Sequence, residues 1–148
     1  MKRVSKKRSV IAILLFVVYA VILSYLLFFS SAYGRTSETG YRYNLKPFLE
    51  IKRALLNVEA VGWHYVILNI GGNILAFMPA GFLIPAMAAK KQNVFTTGVF
   101  VFFLSFLAET IQLCTKTGAF DVDDLILNTL GGVLGYVIYK AAALVRKK

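Results

Sequence analysis

Residues 61–89 read VGWHYVILNIGGNILAFMPAGFLIPAMAA, a run without Asp, Glu, Lys or Arg. A helix needs about 20 residues to cross the hydrocarbon core of a bilayer. The run is longer than that and contains Pro79, Pro85 and the Gly71-Gly72 pair, so we expect a tilted or kinked helix. This stretch therefore predicts a membrane span.

Three further uncharged or nearly uncharged runs complete the predicted fold. Glu109 interrupts the run 94–114. Lys140 lies near the far end of the run 125–145, where a long side chain reaches the headgroups. The first exceeds the roughly 7 to 15 residues of a signal-peptide core, so an uncleaved anchor is expected. The sequence predicts an all-α, polytopic membrane protein with four transmembrane helices. The predicted spans are 9–29, 61–89, 94–114 and 125–145.

The composition excludes the ordinary soluble classes. Of the 148 residues, 58% are hydrophobic and 16% are charged, whereas about 25% are charged in a soluble domain. Disorder requires low hydrophobicity and high charge, which is the opposite balance. The net charge of +10 would suggest nucleic acid in a soluble protein. Here most basic residues flank the predicted spans, so no nucleic-acid partner is expected.

The distribution of Lys and Arg predicts the orientation, because basic residues stay on the cytoplasmic side. They concentrate in the amino-terminal tail (Lys2 to Arg8), in the Lys90-Lys91 turn and at the carboxyl end, while the hairpin between the last two spans has only Lys116. Both termini are therefore expected in the cytoplasm. The segment 30–60 would lie outside, although it contains five basic and three acidic residues.

The external segment between the first two spans contains a predicted short helix. Asn44 is a candidate cap and Pro47 a candidate first-turn residue. The following residues, from Leu49 to Val58, alternate apolar and polar side chains with helical spacing. Such a helix lies in the membrane interface or re-enters between the spans.

Eight polar side chains within or beside the spans fall in the outer half of the bilayer when the spans are drawn at about 1.5 Å per residue. Three helices supply them, so we expect one outward-facing polar pocket that binds a ligand. The eight residues are Asn69, Asn73, Glu109, Gln112, Asp121, Asp123, Asp124 and Asn128.

Each group also has a simpler interpretation. Asn and Gln can join helices, for about 1 kcal/mol or less each. Glu109 fits this less well, because an ionisable residue in a span costs about 2.5 kcal/mol or more. Asp123 or Asp124 could cap the last helix. However, three carboxylates so close together also favour a proton, a ligand amine or a divalent cation, which Asp121, Asp123 and Asp124 would bind.

Small residues predict close helix packing in two spans. They are Gly72, Ala76 and Ala80 in the second span and Gly131, Gly132 and Gly135 in the fourth. Small faces of this kind let helix backbones approach each other. A homodimer formed through these faces is left open.

Four spaced elements carry a resemblance to a known family. They are residues 44–48 (NLKPF), 69–82 (NIGGNILAFMPAGF), 109–112 (ETIQ) and 120–135 (FDVDDLILNTLGGVLG). In this order they resemble the VanZ family. The resemblance implies a single domain over residues 1–148, a location in the bacterial cytoplasmic membrane and a link to resistance against the lipoglycopeptide teicoplanin, more than against vancomycin. Many members have an arginine shortly before the aspartates, where this chain reads Thr117-Gly118-Ala119.

Three functional hypotheses follow. In the first, a non-enzymatic membrane protein uses the outer pocket to engage the lipoglycopeptide or a cell-wall lipid. In the second, an enzyme acts on a lipid-linked cell-wall precursor, with a divalent cation as its cofactor and Glu109 as general acid or base. In the third, the chain is a small transporter or an assembly partner. No other cofactor is expected, and membrane lipids are expected partners in each case.

Overall fold

The computed structural model describes residues 6–29, 40–88 and 92–145, and these are mostly helical. Several residues used to predict the orientation, including Lys2, Arg3, Lys90 and Lys91, lie outside these ranges, as does the carboxyl-terminal 146–148. The helices are α1 (Lys6–Phe28), α2 (Leu49–Leu56), α3 (Val58–Val66), α4 (Gly72–Met87), α5 (Val94–Thr115) and α6 (Val122–Val145). The strands are β1 (Tyr43–Asn44) and β2 (Phe120–Asp121).

Four helical segments are long and apolar enough to cross a membrane, as the sequence predicts. They are Ser9–Phe28, Val58–Met87, Val94–Thr115 and Val122–Val145. The second and fourth begin three residues earlier than expected. In the fourth, the first turn is helical despite its polar side chains, because Asp123 and Asp124 have hydrogen-bond partners in other parts of the chain.

The second span combines α3, a π-helical turn at Ile67–Gly71, and α4. Gly62 interrupts α3 with a φ of 82°, a conformation that glycine adopts without steric cost. Pro79 and Pro85 lie further along, inside α4. The span is therefore irregular, as expected, but two of its irregular sites precede both prolines.

Helices α4 and α6 approach each other closely enough for glycine to be required. A Cβ at Gly135 would lie 2.0 Å from the carbonyl oxygen of Met78, and one at Gly131 would lie 2.2 Å from that of Ile74. A Cβ at Gly81 would lie 1.9 Å from the carbonyl oxygen of Gly132. The glycines of α6 therefore pack within the chain, and a homodimer would have to use another surface.

Two short strands organise one end of the bundle, which we call the loop end and define by residues 40–57 and 116–121. β1 and β2 are parallel, with Tyr43 opposite Phe120 and Asn44 opposite Asp121. The NH of Phe120 also donates to the carbonyl of Arg42 over 3.0 Å. Because β1 leads into α2 and β2 leads into α6, the pairing brings the start of α2 beside the start of α6.

The expected short helix is present, but it begins differently from the prediction. Asn44 does not cap it: its Oδ1 accepts from the NH of Lys46 at 3.0 Å and its Nδ2 donates to Asp121 at 2.9 Å. Pro47 precedes the helix, and Phe48 occupies the N-cap position with a left-handed φ of 63°. The prediction failed because the side chain of Asn44 bonds across the strand pair instead.

Candidate ligand-binding site

A polar cavity of about 130 Å³ lies at the loop end, between α1, the second span, α5 and the start of α6. Four of the eight predicted side chains line it: Asn69, Asn73, Gln112 and Asp124. They come from the second, third and fourth spans, so the structure brings together amides and a carboxylate that lie far apart in sequence. The remaining lining residues are Leu27, Arg42, Thr117, Gly118 and Ala119.

Most of the predicted lining side chains are held by hydrogen bonds. Asn73 donates through Nδ2 to Oδ1 of Asp124 over 2.5 Å. Gln112 donates through Nε2 to the carbonyl oxygen of Leu27 over 3.0 Å. Within residues 6–29, 40–88 and 92–145, the side chain of Asn69 makes no hydrogen bond, although it lines the cavity. Its amide therefore has hydrogen-bonding capacity left for a ligand.

Asp123 connects α6 to α2. Its carboxylate accepts from the backbone NH groups of Phe48, of Glu50 at 2.7 Å and of Ile51 at 3.1 Å, and the residue is 1% exposed. These NH groups lie at the start of α2, where a negative charge is favourable. Asp123 is thus a capping residue, but it caps α2 and not the helix that contains it.

Asp121 and Glu109 form a second polar group next to the cavity wall. Asp121 accepts from Asn44 and, at 2.8 Å, from the NH of Asp123. Burial raises the pKa of the Asp121 carboxyl above its usual range, against these hydrogen bonds, which lower it. Glu109 is 3% exposed and accepts through Oε2 from the NH of Asp121 at 3.1 Å. Glu109 thereby ties α5 to β2, and it is not among the residues that line the cavity.

Asn128 lies deeper between α5 and α6. It is 2% exposed and donates through Nδ2 to Oγ of Ser105 over 2.8 Å. In the part of the chain that the structure describes, its buried Oδ1 has no hydrogen-bond partner. A side chain that bridges two helices in this way fits the simpler interpretation, in which amides join spans.

The arrangement of the acidic residues gives no support to a metal centre. Across the described ranges, no three His, Cys, Asp or Glu side chains are grouped so that they could hold a metal ion. Asp123 uses both oxygens on backbone NH groups of α2. A divalent cation at Asp121, Asp123 and Asp124 stays a prediction from sequence.

Arg42 is the cavity residue that sequence reasoning missed. It precedes β1 by one residue, and the parallel strand pair carries it to the loop before β2, where it lines the cavity together with Thr117. The one signal in the sequence was the excess of basic residues in a segment predicted to lie outside. Thr117 and its neighbours Gly118 and Ala119, where many members of the family that the sequence resembles have an arginine, also line the cavity.

Comparisons with known proteins place the chain in a family. The sequence profile of the VanZ/LLP1 family matches residues 16–145. Protein VanZ of Enterococcus faecium is similar, with 31% identity over 128 residues, which is 84% of this chain and 71% of that protein. No solved structure matches.

Proposed function

This chain belongs to the VanZ/LLP1 family, and on that premise we propose that it lowers the susceptibility of a bacterium to the lipoglycopeptide teicoplanin, more than to vancomycin. The resemblance of four sequence elements to that family supports the proposal, as does the similarity to a protein named VanZ.

The proposed location is the bacterial cytoplasmic membrane, with four spans and both termini in the cytoplasm. The Lys and Arg distribution supports this orientation, because the hairpin between α5 and α6 has only Lys116 as a basic residue. The loop end then faces outward and the polar cavity meets the outer leaflet. A drug that acts outside the cell would encounter the protein there.

The proposed mechanism is binding without catalysis. The polar cavity engages either the drug or a cell-wall lipid at the outer leaflet, and this lowers effective drug binding there. The observation that carries the proposal is the convergence of Asn69, Asn73, Gln112 and Asp124 on one cavity. Such side chains can bond sugars, peptide groups and amines.

The size of the cavity limits what it can hold. Its volume is about 130 Å³, whereas pockets for drug-sized molecules have about 300–1,000 Å³. A whole lipoglycopeptide therefore does not fit inside. One substituent of the drug fits, or the headgroup of a lipid partner.

Teicoplanin and vancomycin susceptibility of a sensitive host tests the proposal. Cells expressing the wild type should resist teicoplanin better than cells with an empty vector, with a smaller effect on vancomycin. Asp124→Asn keeps the shape of the side chain but removes its charge from the cavity, so protection against teicoplanin should fall.

The control for Asp124→Asn is Glu59→Gln, which removes the same charge from an exposed position of α3. Protein amounts in the membrane are matched for all strains. Glu59→Gln should protect like the wild type. Full protection by Asp124→Asn, or none by the wild type, would contradict the proposal.

A further inference from the structure

We infer that the polar cavity binds the headgroup of a zwitterionic phospholipid, with the phosphate at Arg42 and the amine at Asp124. The inference rests on the proposed function, because it names the ligand class of the same cavity. It also differs from that function in its test, since lipid binding is measured without any antibiotic.

The first observation is that opposite charges line one small cavity. Arg42 comes from the segment before β1, and Asp124 comes from the first turn of α6. A guanidinium group matches the geometry of phosphate oxygens and binds them through paired hydrogen bonds. A carboxylate attracts an ammonium group instead. A ligand that binds both Arg42 and Asp124 therefore has an anionic group and a cationic group in one small headgroup.

The second observation concerns the hydrogen-bonding groups that remain. Asp124 accepts from Asn73 through Oδ1, and within the described residues its Oδ2 takes part in no hydrogen bond, although each carboxyl oxygen has two lone pairs. Asp124 therefore still has sites for an ammonium group. The Asn69 amide, whose side chain makes no hydrogen bond within the described residues, supplies a further donor to the cavity wall.

The third observation is the depth of the cavity. Asp124 is two residues from the start of α6 and Gln112 is three residues from the end of α5, which corresponds to about 3 and 4.5 Å along the helix axes. Leu27, another wall residue, precedes the last residue of α1. The cavity thus lies at the ends of three spans, at the level where lipid headgroups meet the hydrocarbon.

The fourth observation is volume. At about 130 Å³ the cavity exceeds the roughly 30 Å³ that one water molecule occupies in the liquid. It therefore has room for a polar group of several heavy atoms. The acyl chains of the lipid remain in the bilayer.

The test is native mass spectrometry of the purified full-length protein in detergent, with lipids titrated in. Phosphatidylethanolamine has both charges, phosphatidylglycerol has the phosphate alone and diacylglycerol has neither. We expect the wild type to bind them in that order of affinity. Arg42→Gln should weaken phosphatidylethanolamine binding about tenfold or more, because a bond to a charged group is lost.

Two further variants distinguish lipid binding in the cavity from electrostatic attraction of lipids to other charged residues of the protein. Arg53→Gln removes the same charge from α2, where Arg53 is exposed and pairs with Glu50 at 2.6 Å, and it should bind like the wild type. Asp124→Asn should abolish the preference for phosphatidylethanolamine over phosphatidylglycerol. Thermal melting of each variant verifies folding. If Arg42→Gln does not fold, Arg42→Lys replaces it, because lysine keeps the positive charge. Arg42→Lys should retain the preference for both phospholipids over diacylglycerol.

Equal binding of phosphatidylethanolamine and phosphatidylglycerol by the wild type would overturn the inference. An equal loss of phosphatidylethanolamine affinity in Arg42→Gln and Arg53→Gln would also overturn it. So would an Arg42→Lys variant that binds diacylglycerol as well as it binds the phospholipids. If the lipid preference is found but the wild type gives no teicoplanin protection, the inference stands and the proposed function fails. If protection is found without the preference, the proposed function stands and the inference fails.

Discussion

Asp123 connects the start of α2 to the start of α6. Its carboxylate accepts from three backbone NH groups at the start of α2, including that of Phe48, whose backbone is left-handed. A non-glycine residue in that conformation costs about 1–2 kcal/mol. The hydrogen bonds to Asp123 offset this cost and hold α2 over the start of α6.

Asp123→Asn should therefore loosen α2. The substitution leaves one acceptor oxygen and no charge, so we expect a loss of about 2–3 kcal/mol in the free energy of unfolding. Thermal unfolding in detergent measures the loss, and hydrogen exchange at residues 48–51 should increase.

The matched control for Asp123→Asn is Glu50→Gln. It removes a carboxylate whose partner is Arg53 on the same exposed face, and such surface pairs contribute about 0–1 kcal/mol. Equal stability of Asp123→Asn and Glu50→Gln would show that Asp123 does not anchor α2.

The three aspartates show how far residue-level prediction reaches. Their spacing in the sequence indicated a shared polar site, but the structure divides them: Asp124 lines the cavity, Asp123 caps α2 and Asp121 bonds Asn44. This division depends on the pairing of β1 with β2, whose partners Asn44 and Asp121 are 77 residues apart. No local pattern encodes that register, and the position of Arg42 follows from the same pairing.

At the scale of elements, the spans were predictable because hydrocarbon imposes their length and composition. The glycines of α6 were predictable for the same reason, since small residues mark close packing. The partner Gly81 and the π-helical turn at Ile67–Gly71 were not, because both depend on how α4 lies against its neighbours.

The contact between α4 and α6 predicts a difference between two glycine substitutions. In Gly135→Ala the new Cβ would meet the backbone of Met78 at 2.0 Å, so the helices must separate. We expect a loss of about 1–3 kcal/mol, as for other overpacked sites. Thermal unfolding in detergent measures it.

Gly98→Ala on α5 is the control for Gly135→Ala, because its Cβ would lie 3.7 Å from Val133, an ordinary contact distance. It should unfold at or above the temperature of the wild type, since alanine favours helix. Identical behaviour of the two variants would contradict the α4–α6 packing.

For the whole molecule, the orientation in the membrane is a prediction from the charge distribution, and it can be measured directly. Lys116→Cys, in a Cys114→Ser background, introduces a thiol into the exposed turn after α5. In intact cells a membrane-impermeant maleimide should label it. Val145→Cys, at the other end of α6 and 75% exposed, should react only after permeabilisation. The opposite pattern would invert the topology and turn the polar cavity toward the cytoplasm.

If the polar cavity is the site of action, a substitution of Asn69 should reduce the protection. Asn69 lines the cavity, yet no hydrogen bond within the described residues uses its side chain, so Asn69→Ala should leave the fold intact. The control is Asn57→Ala, at an exposed turn outside the cavity, where the side chain donates to the carbonyl oxygen of Arg53 at 2.9 Å.

The measurement is teicoplanin susceptibility of a sensitive host that expresses either variant or the wild type at equal membrane levels. A lost ligand hydrogen bond costs about 1 kcal/mol, or about fivefold in affinity. Asn69→Ala should therefore lose most of the protection, while Asn57→Ala keeps it. Full protection by a folded Asn69→Ala protein would contradict the account.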